Sequence, residues 1–455
     1  MKTGFKDSVL MAVMILSFTM PIEKAIGQTW SEVGGGMCDW INASVVYNGD
    51  LIVGGRFTCA GGVPANYIAK WDGNSWSALG SGVNGWVNAL TVYNGKLIVG
   101  GQFSQAGSTA VSNLAKWNGA TWSDVNGDVG SIVSSLTVYN NDLIVGGYFT
   151  DADGFPANYI VGWNNSAGWF NLGSGMNSQV MTLNVYNNEL IAGGFFTTAG
   201  GVTSNHIAQW DGTSWTSIGD GIGGIVYSLG NYNNNLVAGG LFLSAGSVNA
   251  NHIAMWDGTN WSAFSSGMAG DFYQYVFALT TYKGNLFAGG YFTESGGITT
   301  NGIAKWDGTS WSSLNGGFFY NGSNVFGANT LCEYNGDLYA GGLFTTAGAE
   351  NVAHIAKWNE IATGIIQTQT TAMAIKNFPN PFSASTTIFY KPERAGQVQL
   401  LLNDVAGREL KILVDEYLQA GIYTYVLDGN ALPSGIYMLK IISTNINQSI
   451  KLIKE

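Results

Sequence analysis

The stretch Leu97–Trp122, LIVGGQFSQAGSTAVSNLAKWNGATW, contains the pattern from which most of this 455-residue chain is built. An apolar run ends in a Gly-Gly pair, a later run ends in Trp117, and a short turn leads to Trp122. Short apolar or alternating runs bounded by Gly, Asn and Ser are typical of β-strands. The pattern therefore predicts a unit of short antiparallel strands.

The unit occurs seven times, and successive Gly-Gly pairs are 46 to 52 residues apart. The pairs start at Gly54, Gly100, Gly146, Gly193, Gly239, Gly289 and Gly341. Fourteen of the 16 Trp residues fall into two series that keep the same order along the repeats. Asn-Gly and Asp-Gly dipeptides between the runs supply the positive φ angles that tight hairpin turns need. A period of this length with strand patterning indicates a β-propeller with four strands per blade.

The two ends of the array predict how it closes. Trp30 begins the second Trp series before any Gly-Gly pair, whereas the last unit ends at Trp358-Asn359 without a member of that series. We therefore expect Thr29–Gly35 to supply the outer strand of the seventh blade, which removes the free edges of an open array. The predicted fold is all-β: a seven-bladed β-propeller over residues 28–360, followed by a small Ig-like β-sandwich.

Residues 29–359 resemble kelch repeats, since an apolar strand ends in Gly-Gly and a second strand ends in an aromatic residue before a turn and a Trp. The departure is Trp117 and its equivalents, where kelch units commonly have Tyr. The resemblance implies a propeller and no particular activity, because propellers host both enzymes and binding modules.

Residues 1–27 have the layout of a secretory signal peptide. Lys2 and Lys6 precede the apolar run Val9–Met20, and small residues occupy the first and third positions of Ala25-Ile26-Gly27. The apolar run is too short to span a bilayer, and no later segment is apolar enough, so no transmembrane segment is expected.

The repeats stop near residue 360, and residues 361–376 are predicted to form a linker. Residues 377–455 then show short alternating strands, as in a small β-sandwich. Four motifs there resemble the type A C-terminal sorting domain of type IX secretion: Asn377–Phe382, Asp404–Glu409, Leu432–Tyr437 and Lys451–Lys454. The alternative is an ordinary Ig-like carbohydrate-binding or stalk domain. The residues that carry the sorting motifs are Asn377, Pro379, Pro381, Gly407, Arg408, Gly435 and Tyr437.

The resemblance implies export through the type IX secretion machinery. It also implies a sortase-like peptidase as partner, which removes the domain between about Gly364 and Lys376. The mature protein would then be secreted or held at the outer face of the outer membrane, either released or attached to lipopolysaccharide.

Charge excludes one class of partner. Residues 28–369 contain 7 Lys and Arg against 20 Asp and Glu, within a net charge of −11 for the whole chain. So few cations make nucleic acid and anionic membranes poor partners.

Metal, cofactor and catalytic motifs are not evident in the sequence, so no cofactor and no metal is expected. His206, His252 and His354 occupy one repeat position, which places them in different blades rather than in one cluster. Asp151-Ala152-Asp153-Gly154 is half of a calcium loop, read either as a solvated turn or as a calcium site. The Asp-Gly-Thr-Ser-Trp segments at Asp211 and Asp307 resemble sialidase Asp boxes, but Arg56 is the single arginine of the array and cannot form a sialidase arginine cluster.

Cysteines leave two alternatives open. Cys38 and Cys59 lie in loops that share a face of a propeller, so they either form a disulfide after export or remain unpaired. Cys332 occupies an inner-strand position and is predicted to pack in the core.

Aromatic residues concentrate in the loops that lead into blades six, seven, one and two, which ring closure makes consecutive. The candidate ligand-binding residues are Trp40, Trp86, Phe272, Tyr273, Tyr275, Phe318, Phe319 and Tyr320. Aromatic faces beside Asn, Asp and Gly suit sugars, and they also anchor protein ligands. The alternative is that several of them pack inward and seal the channel.

The sequence thus favours a monomeric, non-enzymatic binding module for a glycan or a surface protein. Two alternatives remain: a polysaccharide hydrolase or lyase that uses loop carboxylates such as Asp39 and Asp271, and a structural surface-layer component without a discrete ligand.

Overall fold

The computed structural model describes residues 29–125, 127–270, 274–323, 326–359, 375–392, 395–405, 407–419, 421, 423–443 and 446–455. The chain divides into two compact units between Ile361 and Ala362. The predicted signal peptide and residues 361–374 of the predicted linker lie outside the described residues. All regular elements in the described ranges are β-strands, as expected. Within these ranges no helix is long and apolar enough to cross a membrane.

The N-terminal unit contains seven four-stranded antiparallel sheets among its described residues. We number them 1 to 7 in chain order of their first strands. The first strands are Ile41–Tyr47, Trp86–Tyr93, Val133–Tyr139, Val180–Tyr186, Ile225–Tyr232, Tyr275–Tyr282 and Ala328–Tyr334. The second strands, which carry the Gly-Gly pairs, are Asp50–Gly55, Lys96–Gln102, Asp142–Gly147, Glu189–Gly194, Asn235–Leu241, Asn285–Tyr291 and Asp337–Gly342.

The outer half of each sheet carries the repeat tryptophans. The third strands are Ile68–Trp71, Leu114–Trp117, Ile160–Asn164, Ile207–Trp210, Ile253–Trp256, Ile303–Trp306 and Ile355–Asn359. The fourth strands of sheets 1 to 6 are Trp76–Ala78, Trp122–Ser123, Gly168–Phe170, Trp215–Ser217, Trp261–Ala263 and Trp311–Ser313. In sheet 7 the N-terminal segment Thr29–Glu32 takes this place and pairs antiparallel with Ile355–Asn359, with Trp30 opposite Trp358.

A short hairpin joins the second and third strands of every sheet. The hairpins are Cys59–Ala60 with Val63–Pro64, Gln105–Ala106 with Thr109–Ala110, Asp151–Ala152 with Phe155–Pro156, Thr198–Ala199 with Val202–Thr203, Ser244–Ala245 with Val248–Asn249, Glu294–Ser295 with Ile298–Thr299, and Thr346–Ala347 with Glu350–Asn351. Two further short strands, Met268–Ala269 and Phe318–Phe319, add to the hairpins of sheets 6 and 7.

The Gly-Gly pairs mark two close approaches of the backbone. A side chain at the first glycine, as in Gly54, would clash with a residue of the next sheet's first strand, here Val87. A side chain at the second glycine, as in Gly55, would clash with the carbonyl oxygen of Trp40 at the start of its own sheet. Glycine is therefore required where neighbouring sheets pack most closely.

Hydrogen bonds from the fourth-strand tryptophans link each sheet to the one before it. In six of the seven sheets the indole Nε1 donates to a backbone carbonyl 2.8–3.3 Å away in the preceding sheet's outer region. Trp76, for example, donates to Val33 O over 2.9 Å. Trp30 donates to Leu314 O over 3.0 Å, so the N-terminal strand makes the same bond to sheet 6. Nε1 of Trp169 in sheet 3 has no hydrogen-bond partner among the described residues.

The sheets follow one another in a cyclic order. Each first strand contacts the first strand of the next sheet, and the first strand of sheet 7 contacts that of sheet 1. Between neighbouring sheets lie clusters of buried apolar side chains, such as the one that contains Val133, Leu143 and Phe149. Repeated four-stranded antiparallel sheets packed in this way are propeller-like.

The C-terminal unit contains two antiparallel sheets in its described residues. The three-stranded sheet has the order Ile375–Phe378, Ser385–Tyr390, Tyr423–Asp428. The four-stranded sheet has the order Glu409–Leu418, Gly396–Asn403, Gly435–Ser443, Ile446–Lys454. Their apolar faces form one core that includes Ile388, Leu400 and Leu439.

Candidate functional site: a pocket where the seven sheets meet

All seven sheets of the N-terminal unit contribute to one pocket of about 410 Å³. This volume falls in the range of about 300–1,000 Å³ found for small-molecule sites. The pocket is lined by Trp40, Asn42, Arg56, Trp86, Asn88, Gln102, Ile132, Ser134, Tyr148, Met181, Tyr227, Phe277, Tyr291 and Asn329.

Three positions of the repeat supply this lining. Two of them are alternate residues at the start of the first strand, such as Trp86 and Asn88, which share a face because strand side chains alternate. The third follows the Gly-Gly pair, as Arg56 does. Its backbone N–H donates to the residue that opens the first strand, since Arg56 N bonds Trp40 O over 2.8 Å. The three positions are thereby held side by side in each sheet.

Asparagines dominate one side of the pocket. The amide Nδ2 atoms of Asn329, Asn42 and Asn88 donate to backbone carbonyls of the next sheet over 3.2–3.4 Å. Asn42 Nδ2 also lies 3.3 Å from Asn88 Oδ1. Sheets 7, 1, 2 and 3 are thus linked by amides that line the pocket, and Ser134 of sheet 3 completes the row.

Aromatic rings form the opposite side. Phe277 and Tyr227 occupy the same repeat position as the asparagines, with ring centroids 5.2 Å apart. Tyr275 stacks on Phe277 at 5.3 Å with an interplanar angle of 13°, and Tyr291 lies 5.0 Å from Phe277. Burial raises the pKa values of Tyr227 and Tyr291 to about 12, so both phenols stay neutral at physiological pH.

Arg56 lies between two indoles. Its guanidinium carbon is 4.6 Å from the ring centroid of Trp40 and 3.9 Å from that of Trp86, distances typical of cation–π contacts. The Nε atom is buried and has no hydrogen-bond partner among the described residues. The sequence drew attention to this arginine only as evidence against a sialidase site.

The predicted binding residues separate into four groups, of which Phe318 forms the last. Trp40 and Trp86 line the pocket, and Tyr275 belongs to the aromatic side through its contacts with Phe277. Phe319 and Tyr320 are half-buried and are not among the lining residues, and Tyr320 contacts Phe326, which itself packs against Tyr291. Phe272 and Tyr273 lie outside the described residues.

Phe318 is a core residue rather than a ligand contact. It is fully buried, stacks on Phe344 at 4.2 Å and lies 4.7 Å from Trp30. The sequence contains the signal for this placement. An apolar residue stands seven positions after each fourth-strand Trp, and Phe318 is the member for Trp311, as Val83 is for Trp76.

Of the two alternatives for Cys38 and Cys59, the structure has the unpaired one, since both are free thiols. The backbone N–H of Cys38 donates to Cys59 O over 3.3 Å, which confirms that the two loops are neighbours. The Cys38 thiol is turned toward that carbonyl, 3.5 Å away, and toward the Thr58 hydroxyl. Cys332 is half-buried and packs against the core of sheets 7 and 1.

Most of the remaining candidates make local contacts that the structure describes. Asp151-Ala152-Asp153-Gly154 forms a hairpin turn, in which Asp153 and Gly154 have φ angles of +51° and +70°. The three histidines have φ angles of +64° to +68°, and the backbone carbonyl of each accepts a bond from the second glycine of its sheet. Asp39 accepts a bond from the backbone N–H of Trp40 and does not line the pocket, and Asp271 is outside the described residues.

In the C-terminal unit the motif residues hold the two ends of the unit together. Asn380 Nδ2 donates to Lys451 O over 2.8 Å, and Asn380 Oδ1 accepts from Ile453 N over 2.8 Å. Asn377 donates to Thr386 Oγ1, which in turn donates to Pro379 O.

The other two motifs are turns. Arg408 Nε lies 2.7 Å from Asp404 Oδ2, across a turn in which Gly407 has a φ angle of +82°. The Tyr437 hydroxyl donates to Pro433 O over 2.7 Å. The four sequence motifs are therefore fixed by contacts within this unit.

The comparisons with known proteins identify the C-terminal unit. Residues 376–455 match the family of secretion system C-terminal sorting domains. The match confirms the sorting-domain prediction and indicates a protein that is exported to the cell surface or the medium.

No curated protein matches the chain in sequence. One solved structure that matches is PorZ, described as an essential bacterial surface component of the type-IX secretion system of Porphyromonas gingivalis. The identity is 13%, the TM-score is 0.42, and the match covers 92% of this chain and 59% of PorZ. The chain thus spans less than two thirds of the length of PorZ.

Proposed function

We propose that the N-terminal unit is a seven-bladed, kelch-like propeller that binds a saccharide in the pocket where its sheets meet. The observation that carries this proposal is the division of the pocket into an aromatic side and an amide side. The apolar face of a sugar ring stacks on aromatic rings, while amide groups bind its hydroxyls.

Binding is favoured over catalysis by the chemistry of the lining. None of the 14 described lining residues is Asp or Glu. Most glycoside hydrolases need two carboxylates about 5–10 Å apart. A pocket of amides, aromatic rings and one guanidinium holds a sugar without supplying that pair.

Export forms the second part of the proposal. A signal peptide in residues 1–27 directs the first membrane passage, and the C-terminal unit then directs passage through the type IX machinery. A sortase-like peptidase cuts between the units. Removal of residues 377–455 should leave a folded N-terminal unit in the periplasm, detected by fractionation. Recovery of the shortened protein at the cell surface would disprove the sorting role.

Affinity electrophoresis of the full chain against a panel of polysaccharides tests the binding function. Trp86 is 41% exposed and Tyr227 is half-buried, so neither is a core residue. Trp86→Ala and Tyr227→Ala therefore each remove one aromatic ring from the pocket wall and leave the core intact. Each should weaken retardation about tenfold, as for an aromatic anchor. Tyr417→Ala, which alters a 67% exposed aromatic of the C-terminal unit, is the matched control.

Retardation that persists in both pocket variants would place the sugar elsewhere. Retardation by no polysaccharide would favour a surface-protein ligand or a structural surface-layer role. Release of products from the same panel would favour the hydrolase or lyase.

A further inference from the structure

The position of Arg56 defines the chemical class of the ligand further. We propose that the pocket prefers a saccharide carrying a single carboxylate, and that the Arg56 guanidinium binds this carboxylate. The inference rests on the saccharide-binding function proposed above and goes beyond it by naming an acidic sugar.

Arg56 is the single cation among the described pocket residues, and it has no anionic partner there. No Asp or Glu is among the described residues that line the pocket, and in the same part of the chain Arg56 takes part in no ion pair. Its Nε atom is buried without a hydrogen-bond partner. A buried donor on a charged group is costly to leave unpaired. A carboxylate would satisfy that requirement.

The neighbouring indole rings hold the guanidinium of Arg56 in a fixed orientation. The indoles of Trp40 and Trp86, 4.6 and 3.9 Å from the guanidinium carbon, flank the guanidinium and limit its movement. A guanidinium held in this way matches a carboxylate through two parallel N–H···O bonds, as a lysine ammonium does not. The two indoles therefore act as positioning residues for Arg56 and as faces for the sugar ring.

Other groups of the pocket suit the rest of such a sugar. Burial raises the pKa of Tyr291, and the positive charge of Arg56 partly opposes this rise. The two side chains are therefore near one another. Because that pKa remains about 12, the phenol is a neutral donor. Asn42 and Asn88 lie on the amide side with Arg56 and supply polar atoms for hydroxyls.

The charge of the unit limits the ligand to an isolated acid group. Residues 28–369 contain 20 Asp and Glu against 7 Lys and Arg, so the body repels an extended polyanion. A mostly neutral glycan with one uronic acid at its end or branch avoids this repulsion and still places one carboxylate on Arg56.

Four matched pairs of small probes test the inference on the full chain. The methyl glycosides of glucuronic, galacturonic, mannuronic and guluronic acid are each compared with their methyl esters, in which one methyl group replaces the negative charge of the carboxylate. Titrations are followed by the NMR signals of the Trp indole N–H groups and of the arginine Nε–H groups. The chain has three arginines, so Arg56→Gln assigns the Arg56 signal by its loss.

At least one acid should bind about tenfold tighter than its ester and shift the Arg56 signal, the ratio expected of a charge-assisted pair. In Arg56→Gln the acid and its ester should bind equally, and in Arg56→Lys the ratio should be reduced. Lys283→Gln is the matched control. Lys283 lies 4.7 Å from the ring of Tyr282, which ends the strand Tyr275–Tyr282 at the end away from the pocket. It should leave the ratio unchanged.

The outcomes separate the two proposals. If acids and esters shift the signals of Trp40 and Trp86 with equal affinity, the carboxylate preference is overturned and the saccharide site stands. If no probe shifts either indole signal, both are overturned. If the preference survives in a folded Arg56→Gln variant, a different group binds the acid and the assignment to Arg56 is wrong.

Discussion

The indole of Trp30 provides a direct test of what holds the sheets together. Its Nε1 donates to Leu314 O over 3.0 Å, and its side chain is 1% exposed. Trp30→Phe keeps a ring beside Phe318 and Trp358 but removes the donor. The unpaired buried carbonyl costs about 1–3 kcal/mol, and the smaller ring leaves a void worth about 1 kcal/mol more. We therefore expect the free energy of unfolding to fall by about 2–4 kcal/mol.

Urea denaturation followed by tryptophan fluorescence is the appropriate assay. All 16 Trp residues lie between Trp30 and Trp358, so the signal reports the N-terminal unit alone within the full chain. The urea midpoint should fall while the slope m stays unchanged, because the same surface is exposed on unfolding.

Two variants control for the size of the ring. Trp76→Phe breaks the equivalent bond to Val33 O, 2.9 Å long, and should match Trp30→Phe. Trp169→Phe removes an indole whose Nε1 has no hydrogen-bond partner among the described residues, so its cost should be about 1–3 kcal/mol smaller. Equal losses in all three variants would refute a contribution from the indole hydrogen bonds and leave ring packing as the whole effect.

Three further predictions follow from local contacts. Hydrogen bonds from Thr213 and Ser214 lower the pKa of Asp211 from 3.8 to about 2, so its turn stabilises the fold above pH 3.8 and loses this contribution as the pH falls through about 2. Asp211→Asn should therefore weaken the acid dependence of the urea midpoint. An asparagine can accept the same backbone hydrogen bonds without ionising, as Asn118 does in the equivalent turn of sheet 2. An unchanged acid profile would contradict this prediction. Iodoacetamide at pH 8 should modify Cys38 well before Cys332, because the reactive species is the thiolate. Burial raises the pKa of Cys332 to about 11, so about one Cys332 thiol in a thousand is ionised at this pH. At Cys38 burial also raises the pKa, but hydrogen bonds outweigh it and lower the pKa. Equal labelling rates in peptide mass spectra would be the opposing result. Asn380→Ala should destabilise the C-terminal unit by about 1–3 kcal/mol, because two bonds to the last strand are lost. Hydrogen exchange of peptides from residues 377–455 in urea measures this, and an unchanged transition would show that the contact contributes little.

The repeat could be predicted from the sequence because packing fixes its positions. The first glycine of each pair faces a side chain of the next sheet, and the second faces a carbonyl of its own sheet, so neither tolerates a Cβ. The Trp of the fourth strand was equally constrained, and this is why Trp30 indicated an N-terminal strand in the last sheet. Its indole hydrogen bond could not be foreseen, because the pattern does not show which carbonyl lies opposite.

The pocket could be predicted only in part. Trp40, Trp86 and Tyr275 were found because they break the repeat with an extra aromatic residue. Phe318 was misassigned because the added length of its loop concealed that it occupies a regular core position. Arg56 and Phe277 were missed since each looks like one more variable residue until the seven sheets are placed in order.

The variable positions are themselves an argument for a ligand. Identical repeats would give a pocket with the same residue from every sheet, and packing imposes near-identity at the glycine pair and at the Tyr that ends each first strand. The position that supplies Asn42 in sheet 1 supplies Phe277 in sheet 6, although the backbone around both is the same. Packing within the repeat does not require this difference. The difference fits the proposed saccharide ligand, because a sugar ring has one polar side and one apolar side.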